Sequence, residues 1–220
     1  MTPDPMTPHP TPIRLEPRPD RNAMSAPSPT VTDGPTAHTT AADDPVTPST
    51  ATAAGYATLD TPNGPFTVIA DDSEHVLASG WTDDPTYLSA LIHRSLRPES
   101  LQRSVTLGSL TDAVSAYYAG EVDAPSRVEV VQLSGGTFLN KAWDALRLVE
   151  PGRPVTYTEF AERAGEPAAV RAAATACARN AAALFVPCHR VKRSDGTLGG
   201  FRYGLDIKRW LLDFEAPAED

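Results

Sequence analysis

Pro187-Cys188-His189-Arg190-Val191 sets a thiol, an imidazole and a guanidinium on consecutive positions. Cysteine reacts as the thiolate, and a free pKa of about 8.5 leaves little of it ionised at neutral pH unless a base or cation helps. His189 is a base of the right type. Side chains adjacent in an extended segment point opposite ways, however, so it reaches Cys188 through a water or across a bend. Leu184-Phe185-Val186 is β-prone and is expected to deliver the chain to Pro187 as a strand. The pattern suits nucleophilic chemistry at sulfur. Cys177 is the only other thiol, and the five histidines show no spacing of a structural zinc site, so neither a metal nor any other cofactor is expected. The Gly196-Thr197-Leu198-Gly199-Gly200 stretch does not lead from strand to helix as a phosphate-cradling loop must, and it reads as the edge of a pocket.

The elements that must position these groups lie just upstream. Ala168 to Arg179 is a helix with almost no side-chain bulk apart from its arginines, which by itself fits close packing against a neighbour. Arg171 in its first turn opposes the helix dipole, which suggests placement for a partner. Before it, Thr156 and Glu159 have the spacing of a capping box, so a helix starts at Tyr157 and runs to about Ala164. Gly165 turns the chain, and Pro167 sits at or near the start of the next helix. Two helices joined by a glycine turn make a helix-turn-helix pattern, one that many purely structural pairs share. Thr137 to Val149 is amphipathic, with Phe138, Ala142, Ala145, Leu146 and Val149 facing inward and Lys141, Asp144 and Arg147 outward; Pro151-Gly152-Arg153-Pro154 stops it.

Further upstream, Tyr56–Leu59 and Phe66–Ala70 flank the turn residues Thr61-Pro62-Asn63-Gly64-Pro65 and predict a hairpin. Val76–Trp81 reads as a third strand, Pro85–Ser95 and Leu110–Ala119 as helices, the latter ended by Gly120, and Val128–Leu133 as a last strand. The expected fold is α+β: a small sheet-plus-helix half without visible chemistry, then a mostly helical, winged-helix-like half with the helix-turn-helix.

Pro187-Cys188-His189-Arg190-Val191, followed by Gly199-Gly200-Phe201 and Lys208 to Glu215, resembles the active-site signature of the O6-alkylguanine-DNA alkyltransferases, the methylated-DNA–protein-cysteine methyltransferases. The likeness extends upstream through Gly136-Thr137-Phe138, Trp143, Gly152, Val155-Thr156-Tyr157, the Ala161 region, Arg171 and Asn180, covering about 136–215 strongly and the first half more loosely. It implies that Cys188 takes the alkyl group from guanine O6, with His189 as general base through a water and Glu215 orienting the imidazole. It implies that Tyr157 donates toward guanine N3 and crowds the backbone so that the base leaves the stack. Arg171 would fill the void of the flipped base, Asn180 would hinge recognition helix and active-site strand, and Thr158 and Ser194 would contact DNA. Without the resemblance, Tyr157 reads as a half-buried core aromatic, Glu215 as a surface acid and Ser194 as a turn residue. Val191, Phe201 and Arg202 would line the pocket. Phe201 stands where tyrosine is usual, Ala181 where proline is frequent, and Arg202 and Tyr203 where small residues are common, which favours methyl over bulky adducts. The implied partner is duplex DNA bound through the minor groove, by a monomer that turns over once because a thioether is a poor leaving group.

Composition bounds these expectations. Of 220 residues and 22 prolines, residues 1–55 hold 12 prolines and 11 threonines but no Phe, Trp or Tyr, and such a stretch cannot bury enough surface to order itself. A disordered tail over 1–55 is therefore expected, with Met24 a conceivable later start, then a supporting domain over 56–132, a DNA-binding alkyltransferase domain over 133–215 and a short acidic tail over 216–220. The net charge of −9 argues against a polyanionic partner only on average. Between 133 and 215 there are 12 basic and 9 acidic side chains, against 4 and 11 between 56 and 132. Two cysteines without a disulfide framework, no leader-like segment and no long apolar run point to a reducing, cytoplasmic setting. Two other readings share the DNA-binding features: a damage sensor, which would lack the nucleophile that Cys188 supplies, and a methylation-responsive regulator, which would need a separate cysteine-rich region.

Overall fold

The computed structural model describes residues 53–217. The expected tail thus lies outside the described residues except for its last three, which open the first strand. β1 (Ala53–Thr61) and β2 (Gly64–Ala70) form the expected antiparallel hairpin, Thr61 pairing with Gly64 and its hydroxyl donating to the Gly64 carbonyl at 2.6 Å. β3 (Val76–Gly80) pairs antiparallel with β2, and β4 (Ser100–Arg103) lies parallel to β1, giving the order β3-β2-β1-β4. Expectation missed β4. It is an edge strand with a single apolar residue, Leu101, so it carries no alternation to read.

β2 buries both of its faces. Phe66, Val68 and Ala70 enter the main core, whereas Ile69 points the other way to Leu77, Leu88 and Ile92. Leu88 comes from α1 (Pro85–Leu91), whose first turn is capped by the Asp84 carboxylate. This helix ends four residues before the expected Ser95, where Arg97 donates to the Ala90 and Ile92 carbonyls and holds the chain in a turn. α2 (Ser109–Tyr118) ends as expected, with Gly120 at φ +107.

Val128–Leu133 is not a strand. It meets β3 at the single parallel bridge Val76–Val130, because the same edge of β3 receives residues 181–183 at Ser79. Two segments share one short edge, and neither has room for a ladder.

In the second half, α3 (Thr137–Arg147) buries Ala142, Ala145 and Leu146. Arg147 is only half-exposed: it turns back to donate to the Ser126 and Val128 carbonyls at 3.0 and 2.7 Å and so ties α3 to the first half. α4 (Tyr157–Arg163) carries both bonds of the capping box, and α5 (Val170–Arg179) begins three residues after Pro167, which lies in the turn before it. β5 (Val155–Thr156) and β6 (Val191–Lys192) form a short parallel pair, and α6 (Leu205–Glu215) completes the α+β fold. One continuous cluster joins Phe66, Trp81, Val114 and Tyr117 to Leu146, Phe160, Phe185 and Leu211, so the two halves share a core. No helix among the described residues is long and apolar enough to cross a membrane.

Candidate active site

The path from α5 to Cys188 is a series of tight turns. Asn180 caps α5, the next three residues pair onto β3, and Leu184 takes φ +76 so that Val186 N–H returns to the Ala182 carbonyl at 2.8 Å. The expected strand over Leu184–Val186 is therefore a turn. A left-handed leucine costs on the order of 1 kcal/mol, and here its side chain is buried in the core while flanking hydrogen bonds hold the backbone. Cys188–Arg190 form one 3-10 turn, so thiol and imidazole sit across a bend rather than on opposite faces of a strand. Asn180 does more than cap: its Nδ2 donates to the Val186 carbonyl at 2.7 Å and to Cys188 Sγ at 3.2 Å, and its Oδ1 accepts from Ala182 N–H.

Behind the thiol lies a buried polar cluster. His189 Nε2 is 2.9 Å from Glu215 Oε1; Arg190 grips the carboxylate with Nε to Oε2 at 2.8 Å and Nη2 to Oε1 at 2.9 Å, and its Nη1 donates to the Val149 carbonyl. Tyr117 Oη, from α2, donates to Glu215 Oε1 at 2.9 Å. Burial pushes the Glu215 carboxyl up, but His189 and the two-pronged Arg190 outweigh it and hold it down at about 2. Burial likewise pushes the His189 imidazolium down, against the pull of Glu215, so the ring is neutral at neutral pH and Arg190 supplies the positive charge. An ionised carboxylate only accepts, so the His189 proton sits on Nε2. Nδ1, which has no hydrogen-bond partner among the described residues, is the basic nitrogen.

Cys188 opens onto a cavity of about 650 Å³. Its walls include Tyr157, Arg171, Asn180, Phe201 and Arg202, all singled out from the sequence, together with Cys177, Arg193, Gly199 and Tyr203. Burial raises the Cys188 thiol, while the Asn180 hydrogen bond, Lys208 and Arg202 pull it back. The net shift is upward, so the sulfur needs a base. Tyr157 is pushed up to about 12 by burial and by the two thiols, which keeps it a phenol and a donor. Gly199 lies at φ +69 with the Tyr157 hydroxyl 3.0 Å from where a Cβ would stand, so a side chain there would both strain the loop and crowd the phenol. The exposed face of α5 carries Arg171, Ala174, Thr175 and Ala178, a long cation over a nearly smooth surface.

Three predicted residues lie elsewhere. Val191 is fully buried in the core from β6 and is not on the cavity wall; only its carbonyl serves the site, accepting from Lys208 Nζ at 2.6 Å. Thr158 and Ser194 are exposed and off the cavity. The first half is not without chemistry, since Tyr117 reaches Glu215. Lys208, buried and also bonded to the Leu198 and Gly200 carbonyls, fastens the loop that carries Phe201. A signal for it existed: Lys208, Leu211 and Glu215 recur at i, i+3 and i+7, which puts two charged residues on the apolar face of α6. For Tyr117 the same spacing with Leu110, Ala113 and Val114 marks an inward-facing residue of α2 but not what its hydroxyl meets.

A family profile described as "6-O-methylguanine DNA methyltransferase, DNA binding domain" matches residues 137–217. The methylated-DNA–protein-cysteine methyltransferase of Salmonella typhimurium is 34% identical over 158 residues, 70% of this chain and 91% of that protein. Its counterpart in Mycobacterium tuberculosis is 35% identical over 74% of this chain and 95% of that one. The crystal structure of Mycobacterium tuberculosis OGT in complex with DNA superposes with a TM-score of 0.60 at 32% identity, over 74% of this chain and 96% of that chain. With a cavity-facing cysteine backed by a buried histidine and glutamate, and with relatives matched along nearly their whole length, this chain belongs to the methylated-DNA–protein-cysteine methyltransferase family.

Proposed function

We propose that the chain reverses O6-alkylguanine damage directly, Cys188 taking the alkyl group in a single irreversible turnover. The observation that carries the reading is the Cys188 thiol on the wall of a cavity with room for a base, in one turn with a neutral, Glu215-anchored imidazole. The thiol proton passes to His189 Nδ1 through a water, and Glu215 stabilises the imidazolium that forms. Sulfur attacks the alkyl carbon as the C–O6 bond breaks. The electron pair goes to the guanine ring, whose N3 accepts a hydrogen bond from the Tyr157 phenol, and the proton taken up by His189 returns to the ring through solvent, so guanine leaves neutral and both side chains regain their starting state. Cys188 is left as a thioether, for which Cys177, a free thiol inside α5, offers no route of regeneration.

O6 lies within the base pair, so the nucleotide must leave the stack before sulfur can reach it. Arg171 is the residue to fill the gap, from the exposed small-residue face of α5 lying in the minor groove, with α4 and α5 as a helix-turn-helix and Thr158, Ser194 and Asn180 supporting DNA contact or loop placement. Phe201, Arg202 and Tyr203 narrow the alkyl end of the cavity and favour methyl. Two free thiols fit a reducing, cytoplasmic setting, and the protein acts as a monomer. Residues 53–132 support the alkyltransferase segment, and 1–52 are dispensable for transfer.

Intact mass after incubation with a duplex containing O6-methylguanine tests this. One methyl gained per chain, and none in Cys188→Ala, is the expected outcome. Tight binding without a mass change in the wild type would instead establish a damage sensor.

A further inference from the structure

Tyr117 belongs to α2, in the half of the chain whose sequence shows no chemistry. Its ring is fully buried, set edge-on to Tyr118 at 5.3 Å and tilted against Phe214 at 5.5 Å. A buried tyrosine needs some partner for its hydroxyl. The partner here is Glu215 Oε1, the same oxygen that lies 2.9 Å from His189 Nε2. We propose that Tyr117 is a positioning residue for alkyl transfer: phenol and imidazole share one carboxylate oxygen, which Arg190 Nη2 also reaches, so the phenol helps set how strongly Glu215 holds His189. This rests on the reading of His189 as the general base.

The groups facing His189 are Glu215 and Lys208 from α6, Arg190 and Cys188 from its own turn, and Tyr117 by way of Glu215. Arg190 and Lys208 both disfavour the imidazolium. Only Glu215 favours it, and a donor on Oε1 withdraws part of that attraction. Burial first, and then the adjacent carboxylate, hold the Tyr117 hydroxyl protonated, so it donates at every working pH. Without the hydroxyl, Glu215 binds the imidazolium more strongly, and His189 becomes a free base only at higher pH.

The test uses the full chain with Tyr117→Phe, which keeps the ring and removes one oxygen. Single-turnover methyl transfer from an O6-methylguanine duplex is followed from about pH 5 to about pH 9, and the His189 ring nitrogens are titrated by NMR. The expected result is an acid limb shifted upward: the rate falls about three- to tenfold at the acid end and recovers to within about twofold at the alkaline end, with His189 titrating higher. A second form, 3-fluorotyrosine at 117, strengthens the donor without removing it and is expected to move the limb and the titration the opposite way, which keeps the test open if Tyr117→Phe folds poorly. An unmoved limb with an active wild type overturns the proposal, and so does a loss that is equal at every pH. If the wild type transfers no methyl, the alkyl-transfer reading fails by itself, and the NMR titration still decides whether Tyr117 acts on His189.

Discussion

Glu215 joins three donor residues from two parts of the chain, Tyr117 in α2 and His189 with Arg190 in the turn after Pro187, and its ionisation links stability to pH. Its carboxyl is held at about 2 in the folded protein against an ordinary value of about 4.3, so the linkage contributes on the order of 3 kcal/mol above the unfolded value and is lost as pH falls through that window. His189 acts in the same direction. Its folded pKa is depressed, so the stability it contributes is present above about 6.5 and lost on acidification below that. Urea unfolding between about pH 7 and pH 3 is therefore expected to show a steep fall in stability. In Glu215→Gln the step below about pH 4.5 should be absent, on top of a loss of about 3 to 5 kcal/mol at neutral pH from leaving Arg190 poorly paired. Equal slopes in the two proteins would show that Glu215 is not held ionised by this cluster.

At the scale of elements, α5 divides its labour between two faces. Ala173 and Ala176 are buried, and the Ala176 carbonyl accepts from the Trp143 indole of α3 at 2.9 Å, which fixes the helix against the core. The opposite face leaves Arg171 free at the cavity. Arg171→Ala is expected to leave stability nearly unchanged, since the side chain is exposed, and to slow repair of duplex DNA tenfold or more while reaction with free O6-methylguanine changes by about twofold or less. Rates on duplex and free base settle it. Equal losses would discredit Arg171 as the residue that occupies the void. The same helix shows what was legible from local pattern. The Thr156–Glu159 capping box, the Gly165 turn and the end of α5 at Asn180 are short-range features, and each appears where its spacing puts it. The Val128–Leu133 strand and the Leu184–Val186 strand failed because β-branched residues signal burial as much as pairing, and whether a partner edge is free is decided far along the chain.

For the whole molecule, the shared core matters most. Phe66 and Trp81 from the sheet lie in one cluster with Leu146, Phe160 and Leu211, and Trp81 packs against Phe201 and Tyr203 of the cavity wall at 5.9 and 5.4 Å. The half that carries most of the negative charge thus supports the cavity directly, while the basic excess of the other half is left for a polyanion. A main core shared by both halves predicts a single transition: far-UV circular dichroism and tryptophan fluorescence, which reports Trp81 in one half and Trp143 and Trp210 in the other, should give coincident thermal curves. Two separated transitions would mean that the halves fold independently.

The sequence by itself determined the adjacent thiol and imidazole of Cys188 and His189, the helices around them and the family they resemble, because these are carried by consecutive residues or by helical spacing. Only the tertiary structure decided what surrounds them. That Val191 turns into the core, that Lys208 fastens the loop after it and that Tyr117, 98 positions before Glu215, shares its carboxylate oxygen are contacts between distant segments. Which of two buried polar groups meet depends on how the sheet, α2 and α6 pack, and no local pattern encodes that.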